Sequence, residues 1–285
     1  MNKIRSIILA AITVIMVISC TRREKQDVLL LYPNWADGIA ITHLAKIIME
    51  DKGYTVTVKR LEPGPIFATI SRGDADIYMD AWLPYTHKEY WARFGKRLDI
   101  IGTTFDDGVT GLVVPDYVPV NSIEELNANK EKFHGNIYGI SSGAGIFQNT
   151  QKAIQEYKLG YKQIASSETS MITTLKKAES QKQWIIITGW KPHFMWTHFN
   201  LKVLDDPKKV YPVDKIQTIA RKGFKEDKPE LAEFFKKFQL DEKLLNELMV
   251  MVSEDKDSDI GARKFYLKHK DILQLWLEKK AVVSN

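Results

Sequence analysis

Short apolar runs separated by amphipathic stretches set the rhythm of this chain. Val28–Leu31 is a continuous apolar run, the pattern of a buried strand, and Ile39–Lys52 carries apolar residues at helical spacing up to Gly53. Tyr54–Leu61 alternates as a strand, Pro65–Arg72 reads as a helix that stops at Gly73, and Ala75–Met79 is the next short strand. Thr86–Phe94 is a helical pattern closed by Gly95, with strands after it at Ile100–Thr104 and Gly111–Val114. Pro115–Asn121 marks a change of region, and Ser122 with Glu125 has the spacing of a capping box that opens a helix. A second alternating set follows: strand Ile137–Ile140, helices Ile146–Tyr157 and Glu168–Ser180, strands Trp184–Thr188 and Leu201–Leu204, then a return strand at Ile216–Ala220. Beyond Pro229 the pattern is helical, with segments at Leu231–Phe238, Glu242–Val252, Gly261–Lys268 and Asp271–Leu277.

Alternating strands and helices are the mark of an α/β protein. The two sets predict two lobes, with residues 28–113 plus 214–285 as lobe I and residues 114–213 as lobe II. The chain crosses between them twice, which makes a two-segment hinge.

Residues 1–20 follow a different pattern. Lys3 and Arg5 precede the apolar stretch Ile7–Ile18, too short to span a bilayer comfortably, and Ser19-Cys20 comes next. Residues 1–19 are therefore expected to be a secretory signal peptide. Val17-Ile18-Ser19-Cys20 looks like a bacterial lipobox, in which Cys20 becomes the lipidated first residue of the mature protein, and residues 20–27 then form a polar tether. Cys20 is the one cysteine of the sequence, so once acylated it leaves no thiol for a disulfide, a metal site or a nucleophile. Removing the signal takes away Lys3 and Arg5 and lowers the formal charge from +5 to +3, too mild to argue for a nucleic-acid partner. A mature chain of about 265 residues, from a sequence that is 44% hydrophobic, is long enough to be held by its core alone.

Aromatic chemistry gathers at the ends of the predicted strands. Trp82 in Asp80-Ala81-Trp82-Leu83-Pro84 and Trp190 in Thr188-Gly189-Trp190-Lys191-Pro192-His193 each stand between an apolar run and a proline. Trp35 follows Val28–Leu31 and precedes a helical pattern. Proline stops a strand, so these indoles are expected at strand ends, where ligands bind to α/β sheets. Three indoles can form a box for a cation that donates no hydrogen bonds, such as a quaternary ammonium. Trp35 and Trp82 fall in lobe I and Trp190 in lobe II, so the box would be completed only when the lobes meet. Trp91, Trp184, Trp196 and Trp276 lie inside helix or strand patterns and are assigned to packing.

A zwitterionic ligand would also need donors for its carboxylate. The loop Ser142-Gly143-Ala144-Gly145 leads into the helix at Ile146, so the free N–H groups of Gly145 and Ile146 would point out of a positive helix end. His87, on the same segment as Trp82, is the side-chain candidate; His193 competes for that role, and His43 is expected on a helix face. Asp37 and Asp80 are expected to orient loops or lie next to the cation. No phosphate-binding Gly-Lys-Ser/Thr follows the glycine loop, and the chain offers no Gly-x-Ser-x-Gly, no His-Glu-x-x-His and no free cysteine, which argues against an enzyme.

Asn34-Trp35, Gly73-Asp74-Ala75-Asp76, Asp80 to His87, Thr110 to Pro115, Ser142 to Ile146 and Thr188 to His193 together resemble the glycine betaine-binding lipoproteins of ABC importers for compatible solutes. The Trp82–His87 and Thr188–His193 segments carry the specific part of that likeness, which extends over nearly the whole mature chain. The resemblance implies a two-lobed, type II periplasmic-binding-protein fold in which each lobe is a sheet flanked by helices. It implies a cation cage of Trp35, Trp82 and Trp190, and carboxylate contacts from His87 and the N–H groups of Gly145 and Ile146. Glycine betaine, with proline betaine as a further ligand, ABC permease subunits and the membrane, through the lipid on Cys20, are the implied partners. A monomer without metal or cofactor, on the outer face of the bacterial cytoplasmic membrane, is expected. Choline, carnitine or a sensory role on the same fold are the alternatives.

Overall fold

The computed structural model describes residues 27–276. The expected signal peptide, Cys20 and nearly all of the tether lie outside the described residues, as does Leu277. Strand β1 (Asp27–Tyr32) is built from Val28, Leu30 and Leu31 turned into the core, and it pairs in parallel with β2 (Thr55–Arg60) and β3 (Ile77–Leu83). The connections are helices α1 (Ala36–Asp51) and α2 (Pro63–Ser71), which end at Gly53 and Gly73 with φ of 88° and 80°, backbone that glycine adopts without strain. Helix α3 (Lys88–Phe94) follows β3, two residues later than the pattern predicted.

The two strands expected at Ile100–Thr104 and Gly111–Val114 are one, β4 (Leu98–Pro115), 18 residues long. Asp106-Asp107-Gly108 reads as a turn between strands, but here the chain runs on and changes partner instead. Residues Leu98 to Gly108 pair antiparallel with β9 (Asp214–Arg221), and Val109 to Val113 pair antiparallel with β7 (Ile187–Lys191). Register shifts at Ile100/Gly102, Thr103/Phe105 and Phe105/Gly108 bend β4 along the way. The sheet order is β2-β1-β3-β9-β4-β7-β5-β6, with β5 (Asn136–Gly139), β6 (Lys162–Ala165) and a short β8 (Leu201–Val203) on the flank of β4. This curled sheet gives the two-lobed α/β architecture predicted, with β4 as the strand that pairs on both sides.

The far half of the sheet carries α4 (Gly145–Glu156) and α5 (Glu168–Ser180), the latter with the bounds its pattern predicts and with Ser167 as N-cap, accepting from Ser170 N–H. The C-terminal helices α6 (Pro229–Lys237), α7 (Glu242–Glu254) and α8 (Ser258–Lys268) return to the near half. Helix α8 is fixed to α1 through Asp259, which accepts from Lys46 Nζ and meets His43 Nδ1, both at 2.6 Å, so His43 ties the two helices together.

Three local details differ from the pattern. The capping-box helix at Ser122 is a pair of 3₁₀ turns, Ile123–Glu125 and Asn127–Asn129, because Ser122 Oγ accepts from Glu124 N–H rather than engaging Glu125. Strand β6, an edge of half-exposed Lys162-Gln163-Ile164-Ala165, has no apolar run to announce it. Finally, β3 and β7 extend past the residues at which their apolar runs end. Trp82 pairs with Ile216, and Trp190 with Thr110, so both indoles stand at the C-terminal ends of their strands, as expected, with the strands themselves running further than their apolar runs.

Candidate functional site

All three box candidates and all three carboxylate candidates line one cavity, together with Thr86, Thr110, Ile140 and Ala144. The space between its walls, counting the mouth open to solvent, is about 300 Å³. Trp35 reaches it from the N-cap position of α1, Trp82 from the end of β3 and Trp190 from the end of β7. Each is nearly buried, with 7%, 4% and 4% of its surface exposed.

The indoles are anchored by their N–H groups to two aspartates that are fully buried. Asp80 accepts from Trp35 Nε1 at 2.5 Å on one oxygen and from Trp82 Nε1 at 2.8 Å on the other. Asp37 accepts from Trp190 Nε1 at 3.2 Å, a bond between the two halves of the molecule. Each ring is held by its N–H edge, and the π face of an indole attracts a cation. Burial, followed by the neighbouring Asp37, pushes Asp80 well above the usual carboxylate range, and burial lifts Asp37 to about 6.

His87 lines the same cavity. Its Nδ1 accepts from Trp82 N–H at 3.0 Å, so the neutral ring carries its proton on Nε2 as the free donor. Burial lowers its pKa to about 3, so the folded ring is neutral at physiological pH. The segment from Trp82 to His87 is held by Asp214 at the start of β9, which accepts from Tyr85 N–H at 2.7 Å and Thr86 N–H at 2.9 Å. Opposite, α4 begins at Gly145 with Ala144 as an N-cap that offers no side-chain acceptor, leaving the Gly145 and Ile146 amides as donors at a positive helix end. A Cβ on Gly145 would stand 2.1 Å from Thr86 O, so only glycine allows these segments to approach this closely.

His193 is placed differently from His87. Its Nε2 meets Glu168 Oε1 at 2.8 Å, its Nδ1 accepts from Met195 N–H at 2.9 Å, and its ring packs edge-on against Trp190 at 4.6 Å. It buttresses a cage wall. Glu168 was not singled out in the sequence, because an acid in the first turn of a helix is ordinary; its second oxygen accepts from Ala36 N–H at 2.8 Å, the opening turn of α1. Thr110, also not singled out, turns a buried hydroxyl without a protein partner into the cavity wall. Of the tryptophans assigned to packing, Trp196 donates to Trp190 O at 2.8 Å and Trp276 stacks near Phe238 at 4.6 Å.

Comparison with known proteins places the geometry in context. Residues 26–268 match the family described as the substrate binding domain of ABC-type glycine betaine transport systems. The glycine betaine/carnitine transport binding protein GbuC of Listeria monocytogenes is 40% identical over 152 residues, 52% of this chain and 51% of GbuC, so the match spans about half of that relative. Lactococcal OpuAC, solved closed on glycine betaine, is 33% identical with a TM-score of 0.84, over 89% of this chain and all of that one. The glycine betaine/L-proline-binding protein ProX of Borrelia burgdorferi is 28% identical with a TM-score of 0.86, over 89% and 97% of the two chains. The chain belongs to the substrate-binding domain family of ABC-type glycine betaine transport systems.

Proposed function

We propose that this protein captures glycine betaine, with proline betaine as a further ligand, outside the cytoplasmic membrane and hands it to an ABC permease. The observation that carries this reading is one cavity lined both by three indoles and by N–H donors, a neutral His87 Nε2–H and the amides of Gly145 and Ile146. A trimethylammonium group needs the first and a carboxylate the second. No bond is made or broken. Each indole contact with a desolvated cation contributes roughly 1 to 2 kcal/mol, and each hydrogen bond to the carboxylate roughly 1.5 to 3 kcal/mol. After the costs of ordering and closure, a dissociation constant on the order of micromolar follows.

Cys20 is proposed to carry the lipid that holds a monomeric protein at the outer face of the membrane. The lobes are proposed as residues 28–113 with 214–285, and 114–213. The change of β4's partner between Gly108 and Val109, close to that boundary, supports the division. Four contacts support a closed form that ligand would stabilise: Trp190 to Asp37, Glu168 to Ala36, Ser141 Oγ to Glu62 at 2.6 Å and Tyr90 OH to Gly143 O at 2.8 Å. Tryptophan fluorescence titrated with betaine tests the reading. A saturating change is expected, weakened roughly 5- to 30-fold by Trp190→Ala, and a Trp190→Ala variant that keeps full affinity would remove that indole from the cage.

A further inference from the structure

Behind the cage, the two aspartates present an electrostatic puzzle. Asp37 and Asp80 have no exposed surface. Asp80 spends one oxygen on Trp35 and the other on Trp82, and Asp37 spends Oδ1 on Trp190. Asp37 Oδ2 is buried with no N–H or hydroxyl donor, and the Asp37 and Asp80 carboxyls lie within hydrogen-bonding range of each other. Two carboxylates have no proton to offer each other, and two buried like charges in contact repel strongly. The contact is favourable only when one proton lies between them. Gly38 keeps the space tight, since a Cβ there would stand 2.8 Å from Asp80 Oδ2.

We propose that Asp37 and Asp80 share a single proton, forming a positioning pair that registers all three indoles at once and leaves one buried negative charge behind the cation cage. The neighbouring titratable groups that act on the pair are His193 and Glu168 from the far half and Tyr78 on β3. His193 and Glu168 are already bonded to each other, and Tyr78 OH, buried without a partner, is pushed well above its ordinary range by burial and then by Asp80 and Asp37, so it keeps its own proton. The net charge rests on the pair, matched by the indole donors and, when ligand is bound, by the quaternary ammonium. That last role rests on the betaine reading; the shared proton does not.

The shared proton makes the two acids unequal toward an amide. Asn at position 37 can accept from Trp190 through Oδ1 and donate Nδ2–H to Asp80, replacing the proton and preserving both the charge and the three indole anchors. Asn at position 80 has one oxygen for two indole N–H groups, so one of them is left without an acceptor. Infrared spectroscopy at pH 7 on the unmodified protein is expected to show the carbonyl stretch of a protonated buried carboxyl, and Asp37→Asn is expected to remove it while keeping betaine affinity within about threefold. Asp80→Asn and Asp37→Leu are expected to weaken betaine by about tenfold or more, the effect of a buried donor left unsatisfied. An unmodified protein without the protonated-carboxyl band overturns the proposal whether or not any variant folds. So does an Asp37→Asn variant that loses as much affinity as Asp37→Leu. A band that is present in a protein that ignores betaine leaves the pair standing and removes the functional reading instead.

Discussion

Acidification should destabilise this protein through His87 without switching off the donor that His87 provides. The ring is 2% exposed, and burial lowers its pKa from 6.5 to about 3. A depressed pKa means stability that is complete above 6.5 and is lost as pH falls toward 3, because the unfolded chain takes up a proton that the folded ring refuses. Each pH unit in that window is worth about 1.4 kcal/mol, so moving from pH 8 to pH 5 should take about 2 kcal/mol from the folded state through this residue alone. Urea unfolding at both pH values, compared between the unmodified protein and His87→Gln, isolates the effect, since glutamine does not titrate. The unmodified protein is expected to lose about 2 kcal/mol more than the variant. Equal losses would show that the folded ring titrates normally and would refute the buried, Nδ1-accepting tautomer. In the same range betaine affinity should carry no His87 titration, and a decline near pH 6 that survives in His87→Gln would instead come from the Asp37–Asp80 pair taking up a second proton.

Gly145→Ala is expected to keep both lobes folded but block closure, since the new methyl carbon would lie 2.1 Å from Thr86 O; small-angle scattering should show no compaction with betaine. Glu168→Ala strips the acceptor from Ala36 N–H and His193 Nε2, and stopped-flow release of betaine should quicken by about tenfold. Cys20→Ala should move the protein out of the membrane fraction of cells, and unchanged fractionation would point to another anchor.

Much of the fold was legible because its elements carry local signals. Helix α5 has an N-cap serine and an apolar stripe, and α1 and α2 end at glycines that the backbone requires. The pattern predicts two strands where β4 is one because Asp106-Asp107-Gly108 interrupts the apolar run, and only the exchange of β9 for β7 shows why the strand continues. Edge strand β6 was missed because a half-exposed strand needs no apolar run. The tryptophans were readable from their place beside proline. Asp37 and Asp80 were readable as neighbours of the cation site, but their bonds to the indole N–H groups were not, because these depend on α1, β3 and β7 meeting in space. Glu168 and Thr110 escaped for the same reason.

Calorimetric titration of the full chain with glycine betaine, with choline as the comparison, tests the central claim most directly. The account predicts saturable one-to-one binding of betaine with a dissociation constant on the order of micromolar, and weaker binding of choline, whose hydroxyl cannot use the His87, Gly145 and Ile146 donors as fully as a carboxylate does. A flat betaine titration up to millimolar concentration, or choline bound more tightly than betaine, would contradict it.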